Sequence, residues 1–226
     1  AAVDLLVVDS DLVLQAVEQL MGKLPAKCVV RWAMPPQPLP PAKPHHELRA
    51  FVQWSGSRRA DPQTLVEGMQ QAVAAGLDLN LDVVGDLGDG PDGMLRWLQF
   101  EDLLAVSGMA SRVRLHGAIG PSTRRQLLQL ADVVLWIGRS AGETGLPPTV
   151  LEGLAHGRPV IASAVRELTW LPAIAECVEL VPEANAGVLA QALVRCLKDP
   201  GAIQRRVQTA REVLKGRATD DSGQGL

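Results

Sequence analysis

The chain is short of cysteine, of positive charge and of long apolar runs, and each shortage closes off a class of protein. Its three cysteines, Cys28, Cys177 and Cys196, lie far apart with no C-x-x-C pair, so neither a zinc ribbon nor a dithiol redox motif is present. An odd, scattered set suits reduced thiols in a cytoplasm. Lysine and arginine number 22 against 25 aspartates and glutamates, a net charge of −3. There is no basic surplus to neutralise a nucleic-acid backbone or an anionic membrane surface. No apolar stretch approaches the roughly 18 residues of a spanning helix, so no transmembrane segment is expected. What remains is ordinary globular composition, 47% apolar and 21% charged, too apolar for a disordered chain. At 226 residues it allows one large domain, or one domain with part of another. It starts without Met and runs almost at once into a strand-like segment, as a piece of a longer polypeptide would.

The order of patterns indicates an α/β fold. Asp4 to Asp9 reads as a strand, Leu12 to Met21 as an amphipathic helix, and Lys27 to Trp32 as a second strand, one βαβ unit. Prolines at 35, 36, 38, 40, 41 and 44 then forbid helix and central strand, giving a stiff linker over 35–47. Strands are expected at Leu48 to Trp54, Leu79 to Val84, Arg112 to His116, Asp132 to Ile137, Pro159 to Ser163 and Cys177 to Val181. Helices should open at Asp61-Pro62 (a cap followed by Pro at the first position), run from Gly93 to Ser107, open at Pro121-Ser122, end at His156, span Glu167 to Glu176, and continue to about Gly216. Strands such as VVLWI and PVIAS are apolar on both faces, as in a parallel sheet covered on both sides by helices. The expectation is a doubly wound, Rossmann-like domain over 48–216, preceded by the end of another domain (1–34) and followed by a polar tail (217–226). Its ligand site belongs at the carboxyl ends of the strands, where strand order reverses.

Three of the loops at those ends offer chemistry or its imitation. Trp54-Ser-Gly-Ser-Arg-Arg59 joins Gly56, which lets a backbone approach closely, and Ser57 to Arg58 and Arg59, whose donor forks suit a diphosphate. Gly85-Asp-Leu-Gly-Asp-Gly90 has the spacing G-x-x-G-x-G, not that of the dinucleotide fingerprint, and Asp86, Asp89 and Asp92 lack the ligand positions of a calcium loop; it reads as a tight acidic turn. Gly138-Arg-Ser-Ala-Gly142 imitates a hydrolase nucleophile elbow. Glycines and prolines prolong that loop, however, and His156 is the only histidine downstream, with no Asp between, so no triad follows. The same loop continues through Glu143-Thr-Gly-Leu-Pro-Pro-Thr-Val-Leu-Glu152 into a helix. The first free amides there form an anion site reinforced by the helix dipole. Glu143 and Glu152 bracket it, and carboxylates accept hydrogen bonds from hydroxyls: a pattern for a nucleoside diphosphate sugar.

That run, with ADVVLWIGRS before it and HGRPVIAS after it, resembles the signature of the group 1 glycosyltransferases, retaining enzymes of the two-domain GT-B fold. FVQWSGSRR, LDVVGD and VRLHGAIG resemble the family's preceding strand ends, and the likeness covers about residues 48–215. VDLLVVDSD and KCVVRWAMP are similar to the last βαβ piece of its acceptor domain. The resemblance implies that Glu143 contacts the donor sugar and Glu152 the ribose hydroxyls, while the segment Thr144, Gly145, Leu146, Thr149 and Val150 holds the diphosphate through its amides. It implies that Arg58 or Arg59 offsets the charge of the leaving diphosphate, and that Gly85, His116 and Gly117 let base and ribose approach. It implies transfer without a metal or other cofactor, from a UDP or GDP sugar. The acceptor, a glycan, lipid or small molecule, is expected to be held by the other domain. Glu143 and Glu152 are nine positions apart, one more than in the family pattern; Thr144 and Gly145 stand where an aromatic residue is usual, and no Lys follows Arg59. A non-catalytic sugar-nucleotide-binding or scaffold domain is therefore the alternative, and a sugar-nucleotide epimerase a third. The 17 arginines against 5 lysines are associated with GC-rich bacterial genomes, and a cytoplasmic protein, or one peripheral to a membrane through the rest of a parent chain, is expected.

Overall fold

The structure, a computed structural model, describes residues 6–8, 27–29, 47–54, 59–85, 91–140, 147–169 and 172–220. The expected helix at 12–21, the proline-rich stretch, the turn at 86–90 and residues 221–226 lie outside them. β1 (Leu6–Val8) and β2 (Lys27–Val29) pair in parallel, Leu6 opposite Lys27, as a small sheet of their own.

The main sheet has six strands, all parallel: β3 (Glu47–Gln53), β4 (Asp78–Val84), β5 (Val113–Gly117), β6 (Val133–Trp136), β7 (Val160–Ser163) and β8 (Glu179–Val181). Their spatial order is β5-β4-β3-β6-β7-β8. The chain thus builds outward from β3 in one direction, then returns to β3 and builds outward in the other. This is the doubly wound arrangement, and it places the reversal of strand order between β3 and β6.

Alternation along the strands sends side chains to two cores. Leu48, Ala50, Val52 and Trp54 of the first strand and its end, with Leu79, Leu81 and Val83, meet α1 (Pro62–Ala74), α2 (Pro91–Val106) and α7 (Ala186–Lys198) on one side. Phe51, Val84, Val134, Val160 and Ala162 meet α3 (Pro121–Leu130), α4 (Pro148–Ala155), α5 (Arg166–Thr169), α6 (Pro172–Ala175) and α8 (Pro200–Asp220) on the other. A strand buried on both faces must be apolar throughout, which is why VVLW and VIAS carry no polar alternation.

Start signals act as expected: the Asp61 carboxylate accepts from Thr64 N at 3.2 Å and from Thr64 Oγ1 at 2.8 Å, capping α1 with Pro62 at its first position. Elsewhere the sequence reading needs correction. The stretch Glu167 to Glu176 is two short helices, because Pro172 has no N–H to continue the first and opens the second. Arg112 belongs to a 3₁₀ turn over Ala110–Arg112, and β5 starts one residue later. The last helix continues to Asp220, four residues into the expected tail, since polarity alone does not end a helix.

Candidate functional site at the sheet switch point

Strand order reverses between β3 and β6, and in doubly wound sheets the ligand crevice lies outside the carboxyl ends of the strands at that point. Gln53, the last residue of β3, sits there and is half-buried. Its Oε1 accepts two hydrogen bonds, one from Thr149 Oγ1 at 2.7 Å and one from Arg124 Nη2 at 2.8 Å. Thr149 lies in the first turn of α4 and Arg124 in the first turn of α3. One side chain therefore ties together the starts of the two helices that enclose the crevice.

Arg124 also grips Glu152. Its Nε lies 2.7 Å from Oε1 and 2.9 Å from Oε2, and its Nη2 donates to Oε2 as well. The guanidinium is 5.7 Å from the centre of the Phe51 ring, within cation–π range. Both partners are mostly buried, with side chains 20% and 18% exposed. A two-toothed pair sheltered in this way fixes orientation far better than a solvated one. Glu152, expected to contact the ribose, thus lies beside Gln53 at the switch point, held by an arginine that the sequence pattern did not single out. The available signal was a cation in the first turn of α3, where the helix dipole disfavours one, together with a polar Gln directly after the apolar run Ala50 to Val52.

The remaining expected residues are distributed as follows. Gly85, directly after β4, has φ +151°, and a side chain there would meet the Trp54 carbonyl oxygen at 1.6 Å. Its N donates to Gly117 O at 3.0 Å, so the ends of β4 and β5 lie edge to edge. Gly117 has φ +65°, with open space where a Cβ would stand. His116 turns its Nε2 to Asp82 Oδ1 at 2.7 Å, and the Arg49 Nε is 3.6 Å from the other Asp82 oxygen. The imidazole is therefore anchored to a buried strand carboxylate, a second feature that spacing did not reveal. Arg59 is buried, 8% exposed, with its guanidinium 5.2 Å from the centre of the Trp136 ring. The backbone here ties the segment after β3 to the one after β6: Arg139 N donates to Arg59 O at 2.8 Å, and Asp61 N donates to Ile137 O at 3.1 Å.

At the start of α4, Pro147 and Pro148 have no N–H, and Val150 N already donates to Pro147 O at 3.0 Å. Thr149 contributes the first amide of the helix and a hydroxyl turned to Gln53. The expected site residues Gly56, Ser57, Arg58, Glu143, Thr144, Gly145 and Leu146 lie outside the described residues. Among the described residues, no three His, Cys, Asp or Glu side chains form a group that could hold a metal ion, and no helix is long and apolar enough to cross a membrane.

Residues 52–199 match the family model for glycosyl transferases group 1, more than half of the chain. The chain belongs to that family. Solved structures of glycosyltransferases share the fold. Sucrose-phosphate synthase from Thermosynechococcus elongatus superposes with a TM-score of 0.75 at 23% identity, over 97% of this chain and 57% of the synthase. HepE from Anabaena, solved with UDP and glucose, gives 0.72 at 16% identity, over 95% of this chain and 59% of its own. The C-terminal domain of a group 1 glycosyl transferase, LpcC, from Francisella tularensis gives 0.61 at 16% identity, over 82% of this chain and 96% of that domain. The chain thus spans little more than half the length of the first two and nearly all of the third. A search of curated proteins finds no match. The doubly wound sheet is accordingly the Rossmann-like half of the GT-B architecture.

Proposed function

We propose that this glycosyltransferase domain binds a nucleoside diphosphate sugar in the crevice between β3 and β6 and forms the donor half of a retaining enzyme. The observation that supports the reading most is the convergence of Gln53, Thr149, Arg124 and Glu152 at the sheet's reversal. A carboxylate that accepts from ribose hydroxyls and a helix start that faces a diphosphate would lie within one turn of α4. HepE, the structural neighbour solved with UDP and glucose, makes a UDP sugar the first donor to try, with a GDP sugar next.

In this reading, the bond between the sugar's anomeric carbon and the diphosphate oxygen breaks as an acceptor hydroxyl oxygen bonds to the same face of that carbon. The diphosphate leaves carrying the electron pair and takes up the acceptor's proton. The protein's part is to hold the diphosphate, through Arg58 or Arg59, the amides before Pro147 and the Thr149 amide that opens α4, where its growing charge is stabilised. Glu143 contacts the sugar. No metal or other cofactor takes part, and the acceptor, a glycan, lipid or small molecule, comes from a second domain of which 1–34 is the end. The burial of Arg59 against Trp136 favours Arg58 for the catalytic charge. It also gives substance to a second reading, a domain that binds sugar nucleotides without transfer.

The test compares binding and turnover. The purified domain should bind one nucleoside diphosphate equally well with magnesium and with EDTA, and transfer sugar far more slowly than a complete enzyme. Glu152→Ala should weaken binding by about 1–3 kcal/mol, the cost of losing a charged hydrogen-bond partner. Unchanged affinity in Glu152→Ala would remove the ribose role, and a strict magnesium requirement would remove the metal-free mechanism.

A further inference from the structure

The proposed function assigns no role to Arg124, yet Arg124 is the hub of the crevice. It donates to both oxygens of Glu152 on one edge and to the Gln53 oxygen beside them. A salt bridge whose only purpose was to stitch helices together could use any register along α3. This one places a cation in the first turn, where the helix offers no acidic residue and no side-chain cap, and where the dipole opposes it. The local sequence is thus worse for the helix and better for the carboxylate.

The shape of the contact says what it accomplishes. Glu152 has a flexible side chain that is 18% exposed, and an unrestrained carboxylate there would sample several rotamers. Gripping it through Nε and Nη2 leaves one orientation, and the Phe51 ring beneath fixes the guanidinium plane. A carboxylate has about four acceptor positions, and a side-on arginine occupies those on one edge only. The others stay available in a fixed direction. Gln53 carries the same constraint to the Thr149 hydroxyl on α4, so both groups are set by one guanidinium.

The geometry points to Arg124 as a positioning residue that fixes Glu152 for a vicinal diol, making the crevice select ribonucleoside over 2′-deoxyribonucleoside diphosphates. The inference rests on the proposed nucleotide-sugar site. Without the clamp, Glu152 still carries its charge, but the hydroxyl preference, which depends on direction, falls away. Arg124 acts through Glu152 and need not touch the ligand.

The test is calorimetric titration of the protein with UDP, GDP and ADP and with the 2′-deoxy form of whichever binds. The wild-type protein should prefer the ribonucleotide by roughly tenfold or more, a difference of one good hydrogen bond. In Arg124→Met the ribonucleotide should bind roughly tenfold more weakly while its 2′-deoxy counterpart changes little, so that the ratio falls toward one. Arg124→Lys, which keeps the charge but cannot grip both oxygens, should fall between; if Arg124→Met does not fold, Arg124→Lys alone must lower the ratio. Adding Arg124→Met to Glu152→Gln should cause no further loss, because both changes remove the same contact. An unchanged ratio in a folded Arg124 variant that still binds, or losses that multiply, would overturn the positioning role and leave the nucleotide site standing. Failure of the folded wild-type protein to bind any of the three ribonucleotides would overturn the site and the positioning role together.

Discussion

Arg139 Nε donates to Asp61 Oδ2 at 2.9 Å, across 78 positions of sequence, and so fastens the loop after β6 to the capping residue of the helix after β3. These two loops flank the sheet's reversal. Asp61 is 3% exposed and also receives both the N–H and the hydroxyl of Thr64, so it serves as cap and loop tie at once. Asp61→Ala should therefore destabilise the fold by about 2 kcal/mol, the upper range for a helix cap. Urea unfolding would measure it, and a midpoint within error of wild type would refute the double role.

Acid should weaken the fold in two stages. Burial pushes the His156 imidazole below its ordinary value of 6.5, outweighing the opposite pull of Glu152. The unfolded chain then takes up this proton first, so stability falls as pH drops below about 6.5. For Asp61, burial raises the carboxyl, but Arg139 and Thr64 together outweigh it and hold it below the usual 3.8. That contribution is present above the unfolded value and is lost as pH falls through the folded one. Melting temperatures between pH 7.5 and 5.5 should decline in wild type and decline less in His156→Gln; equal slopes would assign the first stage to another group.

The thiols should divide by burial. Burial pushes the Cys177 thiol up to about 11 and the Cys196 thiol up to about 12, far from the thiolate that reacts. Neither should be labelled by a disulfide reagent at pH 8 until urea is added. Fast labelling of either in the folded protein would show that the turn before β8, for Cys177, or α7, for Cys196, opens locally.

The two glycines that end adjacent strands should differ sharply on substitution. In Gly85→Ala the new methyl would overlap the Trp54 carbonyl at 1.6 Å, whereas in Gly117→Ala it would enter open space and meet only the strain of φ +65°. The second should cost about 1 kcal/mol. The first must move β3 or β4 at their carboxyl ends and should abolish folding or nucleotide binding. Comparable stabilities for the two variants would contradict the close approach of Gly85 to β3.

Much of the fold was legible because it depends on local pattern. The apolar runs at 133–136 and 160–163, the Asp61-Pro62 start and the glycine ending β4 each announce themselves within a few residues. The break at Pro172 and the extension to Asp220 were misread because helix ends depend on packing as much as on composition. At the switch point, the pattern around Glu152 singled out α4 but not the side chains that contact it. Arg124 lies 28 positions from Glu152 and 71 from Gln53, and Asp82 lies 34 from His116. Only the order of strands brings such pairs together, and strand order is not a local property.

The central claim is that the crevice at the β3 and β6 ends is a nucleotide-sugar donor site, and calorimetric titration with UDP, GDP and ADP, with magnesium and with EDTA, tests it most directly. The account predicts saturable binding of one nucleotide, indifferent to magnesium and weakened by about 1–3 kcal/mol, roughly fivefold or more, by Glu152→Ala. A folded protein that binds none of the three, or binds one with an affinity that Glu152→Ala leaves unchanged, would contradict it.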